Sequence, residues 1–169
     1  LALQFDAGRS TVQRLAGAGL WPTGLDAVFL THHHSDHVVG LADLVLTRWI
    51  MDRNDDVPVL PVVAPAGPTA RFAAGVLVGW EDDIAVRRSH SGRPTSPAIE
   101  VRPFPAPAEP TEVWSGEGVR VLASAVRHPP RRAVRTPKVA VRRRPEPGRQ
   151  RRDRWLLSVA PRNISYSIQ

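Results

Sequence analysis

The chain contains no cysteine. That excludes disulfides and thiolate metal ligands, and it leaves the redox compartment open. Methionine and tyrosine occur once each, and aromatic residues make up 6% of the 169 positions. No apolar run approaches the ~20 residues needed to span a bilayer. No basic start followed by a hydrophobic stretch resembles a signal peptide. The expectation is a cytoplasmic protein without a membrane partner. Position 1 is Leu rather than Met, and LALQF already reads as a strand, so the N-terminus is expected to be truncated.

Acidic residues are scarce in one region only. Residues 1–126 carry ten arginines against fourteen carboxylates, a net charge of −4. Residues 127–169 carry twelve arginines and Lys138 against Glu146 and Asp153, a net charge of +11. The overall +7 is therefore the sum of two unlike pieces. A nucleic-acid argument from bulk charge would rest on the last 43 residues alone.

What is present begins with alternation. Leu1 to Phe5 reads as a strand ending in the turn Asp6-Ala7-Gly8, with Gly8 supplying backbone freedom. Ser10 or Thr11 can cap a helix carrying Val12, Leu15 and Ala16 on one face. Trp21 to Gly24 is a loop, and Ala27 to Leu30 is a buried strand. Val38, Leu41, Leu44, Val45 and Trp49 then recur at helical spacing. Val59 to Ala64 is a β-branched strand, placed near an edge or bulge by Pro61. A helix over about 69–78 follows Pro65-Ala66-Gly67-Pro68. Residues 90–110 are loop-like, holding one edge strand at Ile99 to Phe104. A clear strand at Val119 to Val126 delivers Arg127-His128. Strands alternating with helices indicate an α/β sandwich, with helices covering a sheet.

Between the buried strand and the helix after it lies Thr31-His32-His33-His34-Ser35-Asp36-His37. Side chains alternate along an extended segment, so His32 and His34 project the same way. The following turn can bring Asp36 and His37 to the same point. Neutral imidazole and carboxylate suit zinc and similar divalent ions. The stretch is a candidate metal site for two ions. A surface histidine cluster or tag remnant is the bland alternative, and the strand before and helix after argue against it. His90 reads as a solvated loop residue. Trp21, Trp49, Trp80, Trp114 and Trp155 read as packing residues.

Asp6-Ala7-Gly8, the HxHxDH pattern of His32, His34, Asp36 and His37, and the strand-borne His128 together resemble the metallo-β-lactamase fold. The likeness is closest to its ribonuclease Z branch and covers roughly residues 1–128. The resemblance implies an αββα sandwich, incomplete here. It implies that His32, His34 and His128 hold a first zinc ion and that Asp36 and His37 hold a second. Asp36 would also orient the attacking hydroxide, Asp6 would fix ligand orientation from beneath, and His33 would not be a ligand. The implied activity is zinc-dependent endonucleolytic hydrolysis of a phosphodiester at the 3′ side of precursor tRNA, by a metal-activated hydroxide. A homodimer is among the assemblies it implies. Two expected ligands have no counterpart: no histidine follows His128, and Asp153 in RRDRW does not match the family's Ser-Gly-Asp turn. Two zinc ions are expected for the family, and the ligands present suffice for one and part of a second.

The alternatives keep the fold and change the outcome. One is a small-molecule ester hydrolase, such as a sulfatase, phosphodiesterase or lactonase; the other is an inactive truncated remnant. Residues 1–130 are read as the partial domain. Residues 131–169 are an Arg/Pro-rich tail, with Trp155 to Val159 its one strand-like stretch. Such a tail is either disordered or read in a shifted frame of GC-rich coding sequence. It could also contact RNA phosphates.

Overall fold

A computed structural model describes residues 1–127 and, as a strand, residues 135–143. Four strands, β1 (Leu3–Phe5), β2 (Ala27–Phe29), β3 (Leu60–Pro65) and β4 (Ile99–Phe104), form one sheet in that order. All three pairings are parallel, so all four strands end at the same edge. A second, antiparallel sheet takes the order β5 (Thr111–Gly116), β6 (Val119–Arg127), β7 (Arg135–Arg143).

Period-two alternation explains the layers. Val28, Leu30, Leu60, Val62 and Ala64 point to one face of the first sheet. There they meet Leu15 of α1 (Thr11–Gly17), Leu41, Leu44 and Val45 of α3 (Leu41–Met51), and Ala73 of α4 (Pro68–Ala74). Ala27, Phe29, Val63 and Phe104 point the other way and meet Val121 and Ala123 of β6. The ring of Phe29 stacks on Phe5 at 5.0 Å and meets Trp114 edge-on at 6.0 Å. The order is helices, sheet, sheet, as the α/β sandwich requires. No helix among the described residues is long and apolar enough to cross a membrane.

Several elements differ from their sequence signals. Pro61 does not put β3 at an edge: the strand lies between β2 and β4. Leu30 N donates to Val63 O, so Val63 faces β2, and Pro61, two residues earlier, faces the same side. The β2–β3 ladder covers only Val28 with Val62 and Phe29 with Val63, so it starts after the missing N–H. Ser10 sits at the N-cap of α1 without a side-chain cap, and the Thr11 hydroxyl instead donates to Gly8 O at 2.8 Å. His90 is exposed as expected, but on a helix, α5 (Glu81–Ser91). Trp49 is buried, whereas Trp21 and Trp80 are exposed. Strand β7 lies within the stretch read as tail, pairing with β6 from Arg135 opposite Arg127 to Arg143 opposite Val119.

Two arginines, Arg48 buried and Arg93 half-buried, fasten α3. Arg48 donates to the carbonyls of Pro22, Leu25 and Pro58, tying the helix to the loops before β2 and β3. Burial pushes its guanidinium pKa down, against the nearby Asp52 and Asp26 carboxylates. Arg93 donates to the terminal carbonyls of Trp49, Ile50 and Asp52, and its guanidinium lies 5.5 Å from the Trp49 ring.

The tightest packing is backbone on backbone. A Cβ on Gly8 would lie 2.2 Å from Asp36 O, and one on Gly40 would lie 2.1 Å from Gly8 O. Gly8 is thus needed for close approach rather than for a special backbone angle. A Cβ on Gly24 would meet nothing within 4 Å. Gly40→Ala is therefore expected to cost about 3 kcal/mol in urea denaturation, and Gly24→Ala no more than about 0.5 kcal/mol. Equal effects would show that this packing does not limit stability.

Candidate metal centre

The parallel strands decide where the histidines go. β1 ends at Phe5 and leads into Asp6, and β2 leads toward Thr31-His32, so these residues reach the same sheet edge. The chain then turns into α2 (Ser35–Val38) and, after Gly40, α3. One helix was expected after the motif; two short ones stand there, separated at Val39-Gly40. Ala7 N donates to His37 O at 2.7 Å and Gly40 N donates to Ala7 O at 2.8 Å. These bonds fix α2 on the Asp6-Ala7-Gly8 turn.

Asp6 itself has φ 57°, a left-handed conformation uncommon outside glycine but tolerated by aspartate. That backbone aims its carboxylate at two segments. Oδ1 accepts from Thr31 N at 2.8 Å and from Thr31 Oγ1 at 2.9 Å. Oδ2 lies 2.6 Å from His37 Nδ1. Hydrogen bonds to a charged group contribute about 1.5–3 kcal/mol each.

The proton supply assigns the ring nitrogens. The Thr31 hydroxyl has one proton and gives it to Asp6, so toward His32 Nδ1, 2.9 Å away, it acts as acceptor. His32 therefore carries its proton on Nδ1 and its lone pair on Nε2. That Nε2 lies 2.9 Å from His34 Nδ1. Likewise the Asp6 bond holds the His37 proton on Nδ1 and turns Nε2 outward, 3.6 Å from Asp36 Oδ2. The rings of His32 and His37 are 4.1 Å apart. The hydrogen bond to Asp6 raises the His37 pKa against the lowering effect of burial, and the charges of Asp6 and Asp36 add to the rise. An ion taking His37 must compete with protons, so affinity weakens toward acid.

His32, His34, Asp36 and His37 are thus brought together, with Asp6 beneath them. His128 lies outside the described residues. Among the described residues, no three His, Asp or Glu side chains are spaced as a ready-made cage. The donors nevertheless fit zinc. Zn–N bonds of ~2.0–2.1 Å at tetrahedral angles separate two nitrogens by roughly 3.3 Å. His32 Nε2 and His34 Nδ1, at 2.9 Å, need to open by only a few tenths of an ångström. An ion would replace the proton they share. Thr31, the bridge from Asp6 to His32, was not recognised in the sequence; its position directly before the first histidine is the signal that could have found it.

Comparisons with known proteins agree with this architecture. The family model described as "Beta-lactamase superfamily domain" matches residues 3–148. A ribonuclease Z of Mycolicibacterium paratuberculosis is 38% identical over 128 residues, 74% of this chain and 43% of that protein. A ribonuclease Z of Mycobacterium bovis is 37% identical over 131 residues, 76% of this chain and 45% of that protein. The chain spans less than half the length of these curated relatives. The crystal structure of the metallo-β-lactamase fold protein YhfI from Bacillus subtilis superposes with a TM-score of 0.52 at 16% identity. That match covers 82% of this chain and 46% of the other, and it bears on the fold alone.

Asp6→Asn keeps the shape but weakens the grip on Thr31 and His37. Zinc affinity, measured by competition with a chromophoric chelator, is expected to fall about 10- to 100-fold. An unchanged affinity would separate Asp6 from metal binding.

Proposed function

Because the chain belongs to the beta-lactamase superfamily domain family, we propose that it carries the metal-ligating portion of a zinc-dependent phosphodiester hydrolase of ribonuclease Z type. Its substrate on this reading is precursor tRNA, cut at the 3′ side. The observation that carries the reading is the orientation of His32 Nε2 and His34 Nδ1 toward one another, held by Asp6 through Thr31. The substrate class is supported by the sequence likeness to ribonuclease Z, which runs over 128 residues.

His32 and His34, with His128, are proposed to hold a first ion, and Asp36 and His37 part of a second. A bound zinc ion supplies Lewis acidity, polarising a phosphoryl oxygen and acidifying water near neutral pH. The chain's own residues supply order. Asp6 fixes the rings of His32 and His37, so no reorientation is needed when substrate arrives. Asp36 is exposed, with its carboxylate beside His37 Nε2, where it accepts a hydrogen bond from an incoming water and orients it. The domain limits, 1–130 with a following tail, belong to the same proposal; the family match extends to residue 148 and includes β7.

Zinc content and chelator-sensitive cleavage test this reading together. The zinc-loaded chain is expected to cut precursor tRNA, with His34→Ala lowering the rate about 100-fold or more. Hydrolysis of bis(p-nitrophenyl) phosphate without cleavage of tRNA would point to a small-molecule ester instead. Failure to retain zinc would overturn the reading altogether.

A further inference from the structure

His33 sits between two candidate ligands and is not one itself. Its ring is exposed. It turns away from the His32–His34 contact and meets the ring of Phe72 on α4, centroids 5.3 Å apart and planes at 63°. Phe72 is half-buried and rests against the helix-side core, so the imidazole leans on a fixed wall. The two rings come from different strand-loop-helix units, β2 to α2 and β3 to α4. The parallel register brings both units to the edge that carries the metal ligands.

We infer that His33, braced by Phe72, is a stacking platform for the nucleobase beside the scissile phosphodiester. The inference rests on the phosphodiester-hydrolase reading and adds a specificity element to it. Three features support it. The His33 backbone lies between two candidate ligands, so its ring stands at the rim of the same sheet edge, on the side where Phe72 supports it. Unstacked RNA bases are bound on aromatic faces, histidine included, because every base offers a π-face. The charge of residues 1–126 is −4, so around the site a contact to a base adds what charge there does not supply.

The test measures binding by the full 169-residue, zinc-loaded chain. The probes are a short single-stranded RNA carrying one 2-aminopurine and the same strand with an abasic site there. Wild type is expected to quench the 2-aminopurine fluorescence and to bind the abasic strand about ten-fold more weakly. His33→Ala should weaken binding of the base-bearing strand about ten-fold and leave the abasic strand unaffected. His33→Phe should restore both quenching and affinity, and Phe72→Leu should lose part of each. Binding by wild type without base dependence, or equal weakening of both strands by His33→Ala, would overturn the platform while leaving the hydrolase reading intact. Absence of RNA binding by wild type would overturn both.

Discussion

One carboxylate organises the edge of the first sheet. Asp6 is bonded at once to the Thr31 amide and hydroxyl and to the His37 ring. These partners lie 25 and 31 residues further along the chain. Satisfying both dictates much of the rest. The chain must leave β1 in a left-handed conformation, and Asp6 adopts φ 57°. The α2 segment must lie directly on the turn, and only glycine leaves room at positions 8 and 40. Such a conformation costs of order 1–3 kcal/mol, and the bonds to Asp6 and around it offset that cost.

Parallel strand order converts this local arrangement into a site. With four parallel strands, everything that follows a strand gathers at one edge, where α/β proteins bind ligands. Asp6, the histidine motif and the β3–α4 turn all follow strands. The second sheet covers the opposite face through Val121 and Ala123. The fold thus separates its tasks: the faces of the first sheet are packed, and its carboxyl edge carries the candidate metal ligands. Arg48 and Arg93 hold α3 in register without touching the histidines, by occupying loop and helix-end carbonyls.

Much of this was legible from local pattern. HxHxDH after an apolar strand marks candidate metal ligands; β1 and β4 follow from alternation, and β2, β3 and β6 from apolar, strand-forming runs. Asp6 was recognised through family likeness, because a single aspartate in a turn has no diagnostic spacing. The rest depended on partners far along the chain. Thr31 looks like an ordinary strand-end residue until Asp6 is opposite it. Pro61 argued for an edge because the sequence does not reveal where the β2–β3 ladder begins. Helix α5 buries no residue, so it lacks the apolar stripe that betrays a helix; its signals are Glu81, Asp82 and Asp83 in the first turn and the Asp83–Arg87 pair. β5 and β7 were hidden by proline and arginine nearby. The β5–β6 hairpin is encoded instead by Glu117 and Gly118, both at positive φ as a tight hairpin turn requires.

On the proposed reading, Asp6 prepares His32 and His34 to bind a metal through Nε2 and Nδ1. X-ray absorption at the zinc edge of the zinc-loaded chain tests it most directly. Imidazole scattering from at least two histidines is expected, with Zn–N distances of ~2.0–2.1 Å. A zinc shell of oxygen alone, or one whose imidazole signal persists undiminished when His32 and His34 are both replaced by alanine, would contradict it.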